Sequence, residues 1–290
     1  MNSGLSPTGY GIAALNIIAL NNDPFYLQPA QGSREAFLFL HGLGGGVYEM
    51  RPLAERLLQQ GYAVAGFNYP GHDQPTPRMP ASTWQQWYEG VEEQYLRLLE
   101  LHDRVSLVGF STGCLLALHL AAQYQQAERI HQLVLLSPFL KVRMEWYYLL
   151  QPERYVRALG GIIRHVPRWR LPIRDPQMHA LALEAAYFKT FNIPAVRSAL
   201  ELIQLVDGEI ESVDRPTLIV QSTGDRVVCS TGAKILMARL PSPQKEVLWL
   251  EKSDHVILLD RERAQVTERI VGFVTGNAPV DGLDDSTGSP

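Results

Sequence analysis

Val105-Ser106-Leu107-Val108-Gly109-Phe110-Ser111-Thr112-Gly113 is the stretch on which the reading of this chain turns. Val105 to Val108 is a short apolar run of the kind a strand buried on both faces presents, and Thr112 to Tyr124 continues as an apolar stretch of helical length. Ser111 therefore falls on a tight strand-to-helix turn, flanked two residues before and two after by glycines that let the backbone double back closely. The five-residue pattern alone is unspecific, and its position does the discriminating. A serine that merely caps a helix is the plain alternative.

Working outward, five more runs repeat the first: Phe37 to Leu40, Ala63 to Phe67, Leu133 to Leu136, Thr217 to Val220 and Val247 to Leu250. Each reads as a strand buried on both faces. Helical patterns separate most of them. Tyr48 to Gln60 is stopped by Gly61, Thr83 to Leu101 opens with Ser82 or Thr83 as N-cap, and Thr112 to Tyr124 follows the serine. Strands alternating with helices imply a parallel, doubly wound α/β sheet with right-handed crossovers. Between Phe139 and Val213 the rhythm breaks into helical patterns, Met144 to Leu150, His179 to Phe191 and Ala195 to Val206, punctuated by prolines. That predicts a helical insertion at 139–213 between two parts of one core, 1–138 and 214–275. The segment 276–290, rich in Gly, Pro, Asp and Ser, is expected to be disordered.

A serine hydroxyl becomes a useful nucleophile only when a base removes its proton, so the turn calls for a histidine and a carboxylate. His255 follows the last apolar run and Asp225 follows the run before it, both in loops at strand ends. His72, His102, His119, His131, His165 and His179 lack such a setting. Asp254, next to the histidine, is too close in sequence to approach the far ring nitrogen comfortably. Acyl chemistry also needs donors for an oxyanion, and His41-Gly42-Leu43-Gly44-Gly45-Gly46 directly follows the first run. The Leu43 and Thr112 backbone N–H groups are assigned that role, and His41 is read as a scaffold residue. The same loop lacks the Lys-Ser/Thr ending of a phosphate loop and the spaced acid of a dinucleotide fingerprint.

The chain has 290 residues, 46% hydrophobic and 19% charged, which excludes disordered and fibrous classes. With 26 basic and 30 acidic residues, a net charge of −4 makes no electrostatic case for nucleic acid, and a small-molecule partner becomes the default. Two cysteines form no framework or metal motif, so a reducing, cytoplasmic setting is expected. Ile12 to Leu20 lacks a basic flank and is neither a secretory core segment nor long enough to span a bilayer. Cys114 and Cys229 are read as structural.

Residues 24–274 resemble the α/β-hydrolase carboxylesterases of the bacterial thermostable esterase and monoacylglycerol lipase group. The resemblance rests on HGLGG at 41–45, YPGHDQP at 69–75, TWQQW at 83–87, GFSTG at 109–113, TGDRVV at 223–228 and SDHVILLD at 253–260. The order Ser, Asp, His is the one expected for that fold. What the resemblance implies is Ser111 as nucleophile, Asp225 and His255 as its relay, the Leu43 and Thr112 amides as oxyanion donors, and a small helical cap over an acyl pocket. No metal or organic cofactor is called for.

Two departures stand out. Members often carry glycine before the histidine, whereas Asp254 stands here, with a charge expected to favour the imidazolium and shift the pH profile. Thr112 and Cys114 replace residues of other size, so the pocket floor is expected to differ.

The insertion carries Trp146, Tyr147, Tyr148, Trp169, Tyr187, Phe188 and Phe191, which either line an apolar acyl site or glue the cap to the core. Trp146, Tyr187 and Phe188 are the candidate substrate contacts. Arg154, Arg157, Arg164, Arg168, Arg170 and Arg174 read as a solvated face, the sharper alternative being transient contact with an anionic lipid surface or a charged acyl carrier. Hydrolysis of apolar esters is the leading function. A thioesterase or acyltransferase with the same triad is the alternative, and a serine peptidase or a non-catalytic binding protein ranks lower.

Overall fold

A computed structural model describes residues 20–127, 129–143, 164–168 and 170–276. The Ile12 to Leu20 patch apart from its last residue, Trp146, Tyr147, Tyr148, Arg154, Arg157, Trp169 and the tail beyond Gly276 lie outside the described residues.

All six expected runs are strands: β2 (Glu35–Leu40), β3 (Ala63–Gly66), β4 (Arg104–Phe110), β5 (Ile130–Leu136), β8 (Thr217–Ser222) and β9 (Lys245–Leu250). They pair in parallel in the order β3-β2-β4-β5-β8-β9. A short antiparallel strand, β1 (Phe25–Leu27), extends the edge at β3. Three residues are too few to show a period, so this strand is invisible in the pattern. The last strand differs from expectation: all of β9 except Leu250 is only half-buried, because it is the sheet's edge.

Alternation along the central strands feeds two apolar layers. Leu38 and Leu40 face a cluster with Trp87, Val91 and Tyr95 of α2 (Trp84–Leu101) and with α3 (Thr112–Gln123). Phe37, Phe39, Val108 and Val134 face the other side, against Leu53 and Leu57 of α1 (Arg51–Gln59) and Val266 and Ile270 of α7 (Arg263–Thr275). Thr83, not Ser82, caps α2 in a capping box with Gln86. The helix expected from Tyr48 divides into a single tight turn, Val47–Glu49, and α1, whose first turn holds Pro52 where no N–H is needed. Gly61 ends it at φ 90°.

The described part of the insertion is not wholly helical. β6 (His165–Pro167) and β7 (Thr190–Asn192) form an antiparallel ribbon. The helix expected over His179 to Phe191 is α4 (Pro176–Ala185), started by the Asp175 carboxylate on the Gln177 and Met178 amides, after which the chain returns as β7. Asn192 then caps α5 (Ile193–Asp207), close to the expected Ala195 to Val206. The remaining α-helix among the described residues, α6 (Thr231–Arg239), lies between β8 and β9. No described helix is long and apolar enough to cross a membrane.

Candidate active site

Because β2, β4, β8 and β9 run parallel, their following loops emerge on one edge of the sheet, where open α/β sheets hold their ligands. Those loops carry the glycine-rich turn, Ser111, Asp225 and His255 respectively.

Ser111 sits between β4 and α3 at φ 53° and ψ −115°, a conformation that L residues adopt only under constraint. Its amide donates to the Leu136 carbonyl at 2.8 Å, and its carbonyl accepts from Cys114 and Phe139. The flanking glycines are sterically required. A Cβ at Gly109 would lie 2.6 Å from the Gly113 carbonyl oxygen, and one at Gly113 would collide with the Leu40 carbonyl. Cys114 is fully buried, its Sγ donating to the Gly109 carbonyl at 3.1 Å, and burial pushes its thiol pKa up.

His255 Nε2 lies 2.9 Å from Ser111 Oγ, and its Nδ1 lies 2.8 Å from Asp225 Oδ2. With Nδ1 donating to the carboxylate, Nε2 is left to accept the serine proton. Asp225 Oδ1 accepts from the Val227 and Val228 amides at 2.7 and 2.9 Å. Burial alone would raise its pKa, but the His255 charge and these hydrogen bonds outweigh it and hold the carboxyl below its usual range. The His255 carbonyl accepts from Ser137 Oγ at 2.9 Å, and Ser137 too has positive φ, 47°. All three side chains of the series are buried.

Asp254 turns away from this line. Its carboxylate pairs with Arg226 and accepts the Arg226 and His255 amides, so it shapes the loop while Ser111 and Asp225 take the ring nitrogens.

The glycine-rich turn abuts the serine: a Cβ on Gly42 would lie 3.1 Å from Ser111 Cβ. Leu43 follows directly, and Thr112 opens α3 among amides that no intrahelical carbonyl satisfies. His41 stacks on Tyr69 with ring centroids 4.0 Å apart, and burial lowers its pKa to about 4, so it is a neutral scaffold as expected. Sequence reasoning passed over His72, which is buried and whose Nε2 accepts the Gly44 amide at 2.9 Å. Its place in YPGHDQP was the available signal. Asp260 was passed over as well. Its buried carboxylate accepts the amides of Asp254, Arg174, Asp175 and Arg261, tying the His255 loop to the insertion.

Of the candidate substrate contacts, Phe188 is buried with its ring 5.8 Å from that of His72, and Tyr187 is partly buried beside it. The solvated-face reading of the arginines is corrected for two of them. Arg168 donates to the Gly44 carbonyl at 2.7 Å and Arg174 to the Gly224 carbonyl at 2.8 Å, whereas Arg164 and Arg170 are exposed. His119 packs between Trp84 and Tyr88 and pairs with Glu209. Cys229 is only half-buried, beside Thr231 Oγ1.

A mostly parallel sheet wound by helices on both faces, with a serine on its central turn and a histidine and an aspartate from later loops, defines an α/β hydrolase. The chain belongs to the family described as serine aminopeptidase, S33, whose model matches residues 31–262. It is 29% identical over 259 residues to a thermostable monoacylglycerol lipase of Bacillus sp. (strain H-257), spanning 88% of this chain and 95% of that protein. It is 23% identical over 248 residues to a carboxylesterase of Bacillus subtilis (strain 168), spanning 84% and 94%. A solved structure from work on LipS and LipT, two metagenome-derived lipolytic enzymes, matches with a TM-score of 0.76 at 27% identity, over 89% of this chain and 98% of that one. The chain falls in the bacterial carboxylesterase and monoacylglycerol lipase group, and its class is that of a serine ester hydrolase.

Proposed function

We propose that this protein hydrolyses carboxylic esters of apolar acyl groups, monoacylglycerols among them, through an acyl-enzyme on Ser111. The observation that carries the reading is the buried, hydrogen-bonded series from Asp225 through His255 to Ser111. His255 takes the Ser111 proton as Oγ attacks the ester carbonyl, and the resulting imidazolium protonates the leaving alcohol. Water, activated by the same ring, then releases the acid. Asp225 holds the productive tautomer and stabilises the imidazolium without accepting its proton. The Leu43 and Thr112 amides receive the oxyanion, aided by the N-terminal end of α3.

The insertion at 139–213 acts as a cap over the acyl pocket. Its reach to the site, through Phe139 to Ser111, Arg168 to Gly44 and Arg174 to Gly224, supports that reading. Tyr187, Phe188 and, outside the described residues, Trp146 are its candidate acyl contacts. Substrates are met in the cytoplasm or at its lipid surfaces, a setting that suits two unpaired cysteines.

A panel of nitrophenyl esters and monoacylglycerols of increasing chain length, run on wild type and Ser111→Ala with matched acyl thioesters beside them, tests the proposal. Turnover that rises with acyl length and vanishes in the variant is expected. Equal turnover in the variant, or hydrolysis of thioesters alone, would refute it.

A further inference from the structure

The turn that presents the Leu43 amide is held from outside itself. Gly44, at φ 68°, has its N–H bound by His72 and its carbonyl bound by Arg168, 124 residues away in the insertion. The Phe191 ring lies so close that a Cβ on Gly44 would stand 2.6 Å from it. Arg168 itself is firmly mounted. Its amide donates to the Lys189 carbonyl at the end of the β6–β7 ribbon, and its guanidinium lies 5.3 Å from the centre of the Phe191 ring. The ribbon is anchored in turn by the Lys189 amide on the Pro77 carbonyl and by His165 on the Met79 carbonyl.

The peptide units of the turn form a connected series. Arg168 donates to the Gly44 carbonyl, which shares its peptide with the Gly45 N–H. The Gly45 N–H donates to the Gly42 carbonyl at 3.1 Å, and that carbonyl shares its peptide with the Leu43 N–H. In each trans peptide the N–H and C=O point in opposite directions, so a cation at one end polarises every dipole along the line in the same sense. The line ends on the amide assigned to the oxyanion.

We propose that Arg168 is a positioning residue for this reaction: through the Gly44 and Gly42 peptides it orients and polarises the Leu43 N–H toward the oxyanion formed on the Ser111 ester. The inference rests on the acyl-enzyme reading above and adds a specific part for the insertion, which then governs the chemical step as well as access. Arg168 touches no reacting atom. Its influence should therefore fall on kcat, because the donor matters most when charge has developed on the carbonyl oxygen.

The test compares wild type with Arg168→Gln, Arg168→Lys and, as a control, Arg164→Gln at an exposed position of the same stretch. Steady-state hydrolysis of a short nitrophenyl ester, the rate of fluorophosphonate labelling of Ser111 and melting temperature are measured for each. Arg168→Gln should lower kcat and the labelling rate by about tenfold, less than the roughly 10²–10³ that follows outright removal of an oxyanion donor, with KM changed by no more than about threefold. Arg168→Lys, which keeps a charged donor for the Gly44 carbonyl, should recover most of the loss. Arg164→Gln should match wild type. The inference is overturned if Arg168→Gln keeps kcat within about twofold of wild type, if the loss lies in KM alone, or if lysine recovers nothing. A wild-type protein that neither hydrolyses esters nor takes the probe on Ser111 would bring down the proposed function and this inference together. An active wild type with an unaffected variant brings down the inference alone.

Discussion

Replacing Glu49 by glutamine should abolish a specific fall in stability with rising pH. The Glu49 side chain is buried beneath the glycine-rich turn, so close to Gly45 that a Cβ there would collide with the carboxyl. Its Oε1 accepts from the Tyr48 hydroxyl at 3.4 Å, while Oε2 finds no full hydrogen bond among the described residues. Burial raises its pKa from 4.5 to about 7, against the opposing charges of Arg168 and His255 and the nearby Gly46 and Gly42 amides. Between those two values the folded protein holds a proton that the unfolded chain has released, so stability falls as pH rises through the window. The contribution is fully present below about 4.5 and lost above about 7. At about 1.4 kcal/mol per pKa unit, the interval amounts to about 3 kcal/mol. Glutamine keeps the shape and does not titrate. Urea unfolding at pH 5 and pH 8 should therefore show wild type losing about 2.5 kcal/mol more than Glu49→Gln, since pH 5 already lies inside the window. Parallel stability curves for the two proteins, or a wild type that gains on the variant as pH rises, would refute the reasoning.

Three further variants test the same geometry. Ser111→Ala should fold normally, resist fluorophosphonate and lose roughly 10⁵–10⁶ in kcat, as measured by ester turnover. Asp225→Asn should lower kcat by about 10⁴, because the ring loses the carboxylate that selects its tautomer. The stability Asp225 supplies is present above its unfolded value of 3.8 and is lost as pH falls through its lower folded value, so the same variant should flatten the acid arm of an unfolding profile below about pH 4. Gly113→Ala should lower the melting temperature and the yield of folded protein, since its methyl group would meet the rigid Leu40 carbonyl; a cost above about 1–3 kcal/mol is expected, and a wild-type melting curve would count against the close approach.

Much of the fold was legible because buried parallel strands present as apolar runs, and six of them were found. The serine turn was legible for a related reason: glycines at 109 and 113 answer local contacts within a few residues and on the adjoining strand. Asp225 and His255 could be chosen from the sequence because each follows a strand that the pattern had already located. The insertion was read less well. Its apolar stretches at helical spacing, punctuated by prolines, suggested helices, while Thr190–Asn192 pairs with His165–Pro167 across more than twenty residues and becomes a strand by that pairing.

What the sequence by itself determined was the order of elements and the residue types brought to one edge of the sheet, because strand direction and chain order decide where loops emerge. Tertiary structure alone decided how those loops are held. Nothing local marks Asp260 as the carboxylate joining two segments or Glu49 as a buried acid. The arginine stretch makes the contrast plainest. Local sequence describes six like charges, whereas docking of the insertion sends Arg168 to one carbonyl beside the site and leaves Arg164 and Arg170 in solvent. A side chain's chemistry is carried by its own atoms, but its partner is set by which distant backbone the packed fold brings within 3 Å of it.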